Sequence, residues 1–113
     1  MRKLSLFLIL NLLFASAAIA QSAGEGLFKE RCVACHGTDL SGHTNFGKKA
    51  TIPDLRTAAV QSRSDGDLFA SIGRGEGHKE YPHGFLSRGL NQVQLKSIIE
   101  YIRSQSVVAA AKK

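Results

Sequence analysis

Apolar residues recur along this chain at helical spacing. The clearest series has intervals of three and four residues near the C-terminal end and consists of Leu95, Ile98, Ile99 and Ile102. These intervals place the four side chains on one face of a helix. Asn91, with Gln94 three residues later, is a helix-capping signal. We therefore predict a helix that starts here and runs to about Arg103.

Two earlier helices are predicted from similar signals. The segment 24–35 carries Leu27, Phe28 and Arg31 at the spacing of one helical face. Ser64 can cap a second helix, and the acidic residues at 65 and 67 favour its first turn through the helix dipole. The apolar residues of that helix are Leu68, Phe69 and Ile72, and we expect Gly73 to end it.

Between these helices lie two long segments that contain glycine, residues 37–63 and 73–90. Loops of this length in a small domain usually have a function. No pattern typical of β-strands is visible. The sequence therefore predicts an all-α domain of three to four short helices joined by long loops.

The first twenty residues have the pattern of a secretory signal peptide. Arg2 and Lys3 precede an apolar run over 4–14, and Ala18-Ile19-Ala20 fits a cleavage site. The run is short for a membrane span and Asn11 interrupts it, so we favour cleavage over a retained anchor. We predict a soluble periplasmic domain over 21–113, with a tail from about residue 106.

Loss of the signal peptide changes the charge and the size of the chain. Of 15 Lys and Arg residues two leave, so 13 basic against 9 acidic residues give a net charge near +4. About 93 residues remain. A domain of this size buries little surface, so its stability usually needs an additional cross-link or bound group. This modest charge in an exported protein does not suggest nucleic acid as a partner, and we expect a monomer.

The strongest chemical signal is the run Cys32-Val33-Ala34-Cys35-His36. C-x-x-C-H is typical of c-type haem attachment. Two thiols on one helical turn can add to the two vinyl groups of haem, and the adjacent histidine can bind the iron. The alternatives are a disulfide, a thioredoxin-like redox site and structural zinc. The signal peptide and the helical pattern favour haem.

The mature chain resembles the class I cytochrome c family over nearly its whole length. Gly24 and Phe28 match the family residues at the crossing of the first and last helices, with Tyr101 as the aromatic partner. Cys35-His36-Gly37 is the family's Cys-His-Gly string, and Pro53-Asp54-Leu55 resembles its Pro-Asn-Leu segment. The resemblance implies a small all-α fold wrapped around one covalently bound haem c.

The resemblance also implies roles for individual residues. Cys32 and Cys35 would attach the haem, and His36 would be the proximal iron ligand. The carbonyl of Pro53 would accept a hydrogen bond from Nδ1–H of His36, which would fix the tautomer of the ring. Leu55 would pack against the edge of the haem.

The sequence departs from the family at the sixth ligand of the iron. The family has methionine followed by proline, but the single methionine here is Met1, inside the predicted signal peptide. The segment 80–85 resembles the methionine-proline loop, with Tyr81 at the methionine position. Methionine ligation is therefore excluded.

Four residues could replace methionine at the iron. Tyr81 has the right register, but it binds well only as phenolate. His78 and His83 bear imidazoles, which bind both oxidation states, and Lys79 must first lose a proton. We favour histidine slightly, His78 first, over a tyrosine-lined or vacant site. His43 is interpreted as a surface residue.

Two functions are consistent with these features. We favour a non-enzymatic one-electron carrier, of lower potential than a methionine-ligated relative. Basic residues expected near the haem edge would steer it towards an acidic redox partner; they are Lys48, Lys49, Arg74, Lys79 and Arg88. The alternative is a small-ligand binder, sensor or weak peroxidase with an open distal site.

Overall fold

A computed structural model describes residues 23–78 and 82–107 of the chain. Within these residues all regular secondary structure is helical, which confirms the predicted all-α class. None of the helices found there is long and apolar enough to span a bilayer. The predicted signal peptide, Lys79 and Tyr81 lie outside the described residues.

The first predicted helix is present but is divided at Cys32. Helix α1 covers residues 23–31, and helix α2 covers Val33–His36. The amide of Cys32 still donates to the Phe28 carbonyl at 2.8 Å, so the chain path stays helical across the break. Gly37, with a φ of 82° that suits glycine, ends α2.

The segment 37–63 contains two short helices that were not predicted, α3 (Asn45–Ala50) and α4 (Ala58–Gln61). Helices of six and four residues contain too few apolar positions to show a period. The interpretation of this segment as a plain loop was therefore wrong.

The helix predicted from Ser64 begins as expected but ends later. Helix α5 covers Asp65–Phe69 behind a capping box, and a π-helix over Ala70–Arg74 continues it to Gly75. Gly73 does not end the helix. It is buried, and a β-carbon there would lie 2.9 Å from Cδ1 of Leu95, so a close approach explains the glycine. A 3-10 helix over Phe85–Arg88 interrupts the second predicted loop.

The last helix, α6, covers Gln92–Ser104 and confirms the C-terminal prediction. Asn91 and Gln94 form the capping box at its start. Beyond its end, Ser106 is buried and the amide of Val107 donates to the Arg56 carbonyl at 3.1 Å. The chain is thus still attached at Val107, after the predicted start of the tail.

The core is centred on the crossing of α1 and α6. Gly24 has no side chain at the contact, and a β-carbon there would lie 1.9 Å from the Ser97 carbonyl oxygen. Phe28 is 1% exposed, and its ring centre lies 5.4 Å from that of Tyr101. The predicted roles of all three family residues at the crossing are confirmed.

Polar side chains fasten the middle of the chain to α6. The Arg103 guanidinium donates to the carbonyls of Gln61 and Arg63 and pairs with Asp65 at 2.8 Å. The amide group of Gln61 donates to the carbonyls of Leu55 and Ile102. These bonds hold α4 and the start of α5 against the C-terminal helix.

We expect Gly24→Ala to lower the free energy of unfolding by about 1–3 kcal/mol or more. The added methyl group would overlap a backbone oxygen of α6. Gly26→Ala is the matched control, since nothing lies within 4 Å of its added methyl group. It should leave stability unchanged or raise it by up to about 1 kcal/mol. Denaturant unfolding of both variants measures the difference, and equal effects would contradict close packing at the crossing.

Candidate functional site

A cavity of about 310 Å³ lies inside the helical shell. Its walls come from α1 and α2 on one side and the segment 50–55 at the rim. The rest of the described lining comes from the π-helix, α6, residues 77–78 and 82–85, and the side chains of Val60, Arg63 and Leu68. Cavities that bind small molecules occupy about 300–1,000 Å³ and are mainly apolar. The size and the largely apolar lining of this cavity fit such a site.

Both cysteines line the cavity as free thiols. The amide of Cys35 donates to the Cys32 carbonyl at 3.2 Å, so the two residues share one helical turn. Burial, with a smaller contribution from Cys35, raises the pKa of Cys32 to about 12. Cys32 is therefore a protonated thiol at neutral pH. The arrangement can present two sulfur atoms to one bound molecule.

His36 also lines the cavity and is uncharged at neutral pH. Burial, reinforced by the neighbouring His83 and His78, lowers its pKa to about 4. A neutral imidazole is the form that binds a metal. Its ring centre lies 6.3 Å from that of Phe28, which connects the candidate ligand to the crossing of α1 and α6.

The expected hydrogen bond between His36 and Pro53 is absent. Nδ1 of His36 is buried and has no hydrogen-bond partner. Pro53 lines the cavity but is exposed, and Leu55 lines it and is partly buried. The motif places Pro53 in the right segment of the chain, but packing sets the separation between that segment and α2.

Thr44 holds α3 against α2 and was missed by the sequence analysis. Its hydroxyl donates to the Cys35 carbonyl at 2.7 Å and accepts from the Gly47 amide at 2.8 Å. A β-carbon on Gly47 would lie 2.7 Å from that same Cys35 carbonyl. A threonine followed three residues later by glycine was the available signal, since threonine is a common N-cap.

The segment that carries Pro53 and Leu55 is fixed by two sets of bonds. The amide of Leu55 donates to the Leu40 carbonyl at 3.0 Å. Asp54 accepts two bonds from the Arg56 guanidinium, at 3.0 and 2.8 Å, and one from the Arg56 amide. The Arg56 side chain holds the pKa of Asp54 below its usual value.

His83 faces His36 across the cavity. The ring centres are 6.2 Å apart and the ring planes differ by 19°. Burial, followed by the neighbouring His78, lowers the pKa of His83 to about 4, against a smaller opposing effect of the Ser71 backbone. His83, like His36, is therefore a neutral imidazole at neutral pH.

His78 lies beside His83, with ring centres 4.3 Å apart. It lines the cavity, and burial lowers its pKa, assisted by Arg63. His43 is exposed, as predicted. Of the four candidate sixth ligands, the structure therefore describes His78 and His83 and brings both to the cavity.

The charged residues of the cavity wall are cationic. Arg31 and Arg63 line it, and the described lining residues include no carboxylate. Within 23–78 and 82–107, no three His, Cys, Asp or Glu side chains are grouped to hold a metal ion by themselves. The cavity therefore suits an apolar molecule with acidic groups better than a metal ion bound by protein side chains alone.

The family model of cytochrome c matches residues 21–106. Neither the curated proteins nor the solved structures gave a match. The match covers most of the chain, so the chain belongs to the cytochrome c family, as a class I monohaem member. Its cofactor is one covalently attached haem c.

The residues of the cavity fit that group. Haem is apolar across its ring and carries acidic substituents, which suits apolar walls with Arg31 and Arg63 among them. The thiols of Cys32 and Cys35 can supply the covalent bonds. His36 lines the same cavity, and the protein does not hold its Nδ1 in a hydrogen bond, so the ring can offer a nitrogen to the iron.

We expect Asp54→Asn to destabilise the protein at pH 7 by on the order of 1 kcal/mol, because it removes a partly exposed ion pair. The pKa of Asp54 is lowered in the folded state, so its contribution is complete above the unfolded pKa and declines as the pH falls through the folded pKa. The difference between the two proteins should therefore shrink below about pH 4.

Denaturant unfolding at pH 7 and pH 3 measures this difference. Glu100→Gln, at an exposed position of α6, is the control and should show little effect at either pH. A loss for Asp54→Asn that stays the same at both pH values would show that the charge of the carboxylate is irrelevant.

Proposed function

We propose that this cytochrome is an exported one-electron carrier, with haem attached through Cys32 and Cys35 and His36 as the proximal iron ligand. The observation that carries the proposal is the convergence of both thiols and a neutral imidazole on one apolar cavity. Membership of the family indicates electron transfer rather than enzymatic catalysis.

When bound, the haem iron would supply the ferric–ferrous redox couple, whose two states differ by one electron. The protein residues supply the surroundings that such a couple needs. Phe28, Leu55 and Ile98 line the cavity and make this part of its wall apolar. The packed crossing of α1 and α6 holds the helix that leads to His36 in place, so little of the protein has to move during electron transfer.

We propose a nitrogen or oxygen ligand, or a vacant position, at the sixth site. The only methionine of the sequence is Met1, which the proposed signal peptide over 1–20 removes. Nitrogen and oxygen ligands favour ferric iron, so the reduction potential should be lower than that of a methionine-ligated relative. We also propose that residues 21–113 form a monomeric periplasmic domain.

Covalent attachment can be tested by mass spectrometry of the denatured protein after expression with haem-maturation machinery. The unmodified chain should retain the mass of one haem and lack residues 1–20. We expect Cys32→Ala and Cys35→Ala to keep haem through one thioether bond, and the double variant to lose covalent haem completely.

His43→Ala is the control for these variants, because His43 is exposed and outside the cavity lining, and it should retain haem fully. A double cysteine variant that still carries covalent haem would contradict the attachment. A chain that never takes up haem would contradict the whole proposed function. The two cysteines would then have one of the alternative roles, such as a disulfide.

We further propose that a positive surface beside the cavity rim docks an acidic redox partner. Lys48 and Lys49 are exposed on α3, one or two residues before the lining residue Ala50. Arg74 pairs with Glu76 at 2.8 Å, which reduces its contribution. Arg88 is exposed and lies over the ring of Phe85.

Charge reversal at Lys48 and Lys49 should slow electron exchange with an anionic reagent, hexacyanoferrate, and speed exchange with a cationic cobalt complex. Both changes should fade as salt increases, because screening removes long-range steering. Reversal of the exposed Lys96 on α6 is the control. Stopped-flow rates at low and high salt measure the effect. Equal rates for the Lys48/Lys49 and Lys96 variants would contradict a docking surface at α3.

A further inference from the structure

We infer that His83 is the sixth ligand of the haem iron, opposite His36, and that His78 is a positioning residue that packs against His83. The inference rests on the proposed function, because it requires haem in the cavity. It reverses the order expected from the sequence, in which His78 came first.

The distance between the two rings carries the inference. Metal–imidazole nitrogen bonds are about 2.0–2.1 Å in zinc sites, and a ring nitrogen lies about 1.1 Å from the ring centre. A metal ion held between two imidazoles on opposite sides therefore separates the ring centres by about 6.3 Å. His36 and His83 have ring centres 6.2 Å apart. The protein thus holds the two rings at the separation of an axial pair.

The hydrogen-bond inventory selects the same two residues. Among the described residues, two buried side-chain nitrogen or oxygen atoms lack a hydrogen-bond partner, and they are Nδ1 of His36 and Nδ1 of His83. A buried polar atom without a partner costs about 1–3 kcal/mol. A ring that turns a nitrogen towards bound iron would therefore give up no hydrogen bond at Nδ1 in either residue.

The backbone around His83 holds its ring in place. The amide of Gly84 donates to the Ile72 carbonyl at 3.0 Å, which ties this segment to the π-helix. Gly84 has a φ of 81°, and the next residue, Phe85, is 7% exposed with its ring 6.2 Å from that of His83. Pro82 limits the backbone on the other side. His83 is therefore presented from an anchored segment.

The surroundings of His78 suit a supporting role. Its ring contacts that of His83 at 4.3 Å, with the planes inclined by 55°. No ring contact joins it to His36 in the described part of the chain. Its amide donates to the Gly75 carbonyl in a turn where Gly75 and Gly77 both have positive φ. Among the described ring contacts, His78 thus reaches His83 and not His36.

Haem-loaded variants of the full chain test the assignment. The unmodified protein should show a low-spin reduced spectrum that carbon monoxide does not change. His83→Ala should become high-spin and convert completely to the carbon monoxide form. His78→Ala should stay low-spin, and at most a small fraction of its haem should convert to the carbon monoxide form. The exposed His43→Ala is the control and should match the unmodified protein.

Two further variants separate loss of the ligand from loss of the fold. His83→Gly with added imidazole should regain the low-spin spectrum, because the free ring replaces the missing one. His83→Met should raise the reduction potential relative to the unmodified protein, since methionine stabilises ferrous iron. His78→Met should leave the potential close to its original value.

Other outcomes overturn the inference in distinguishable ways. Carbon monoxide binding by His78→Ala alone would make His78 the ligand. A low-spin reduced spectrum in both single variants would overturn the assignment, because Lys79 or the remaining histidine would then be able to hold the iron. Carbon monoxide binding by the unmodified protein would show an open site and favour small-ligand binding, while the haem attachment itself would stand. A chain without haem would remove the proposed function instead.

Discussion

The backbone contact between α1 and α6 is the constraint on which the rest of this structure depends. Gly24 lets α1 approach the Ser97 carbonyl more closely than any side chain would allow. Phe28 then reaches Tyr101 on one side and His36 on the other, with ring centres 5.4 and 6.3 Å away. Because α2 follows α1 almost without interruption, the orientation of the cysteines and of His36 is set by this crossing.

The remaining walls of the cavity are held by hydrogen bonds more than by regular structure. Arg103 and Gln61 fasten the middle of the chain to α6, and Thr44 fastens α3 to the Cys35 carbonyl. Each of these bonds joins segments that are far apart in the sequence or in different helices. A small domain of this kind has a limited apolar core, so a large bound cofactor would complete it.

Burial also determines the chemistry of the cavity. It keeps His36 and His83 neutral, and neutral imidazole is the form that binds metal. The charged residues of the wall are Arg31, which pairs with Glu30 at 3.0 Å, and Arg63. The cavity therefore combines metal-binding nitrogen, free thiols and positive charge in mainly apolar surroundings, and this combination suits a haem whose redox change requires little movement.

The sequence by itself determined the features that depend on neighbouring residues. The C-x-x-C-H run, the capping boxes at Ser64 and Asn91, and the helical series of α6 are local patterns, so they could be read without a structure. The features that join distant segments were decided only by the tertiary structure. These include the missing bond between His36 and Pro53, the helices α3 and α4, and the position of His83 opposite His36. Spacing along the chain does not determine distances between segments, because packing against the other helices sets them.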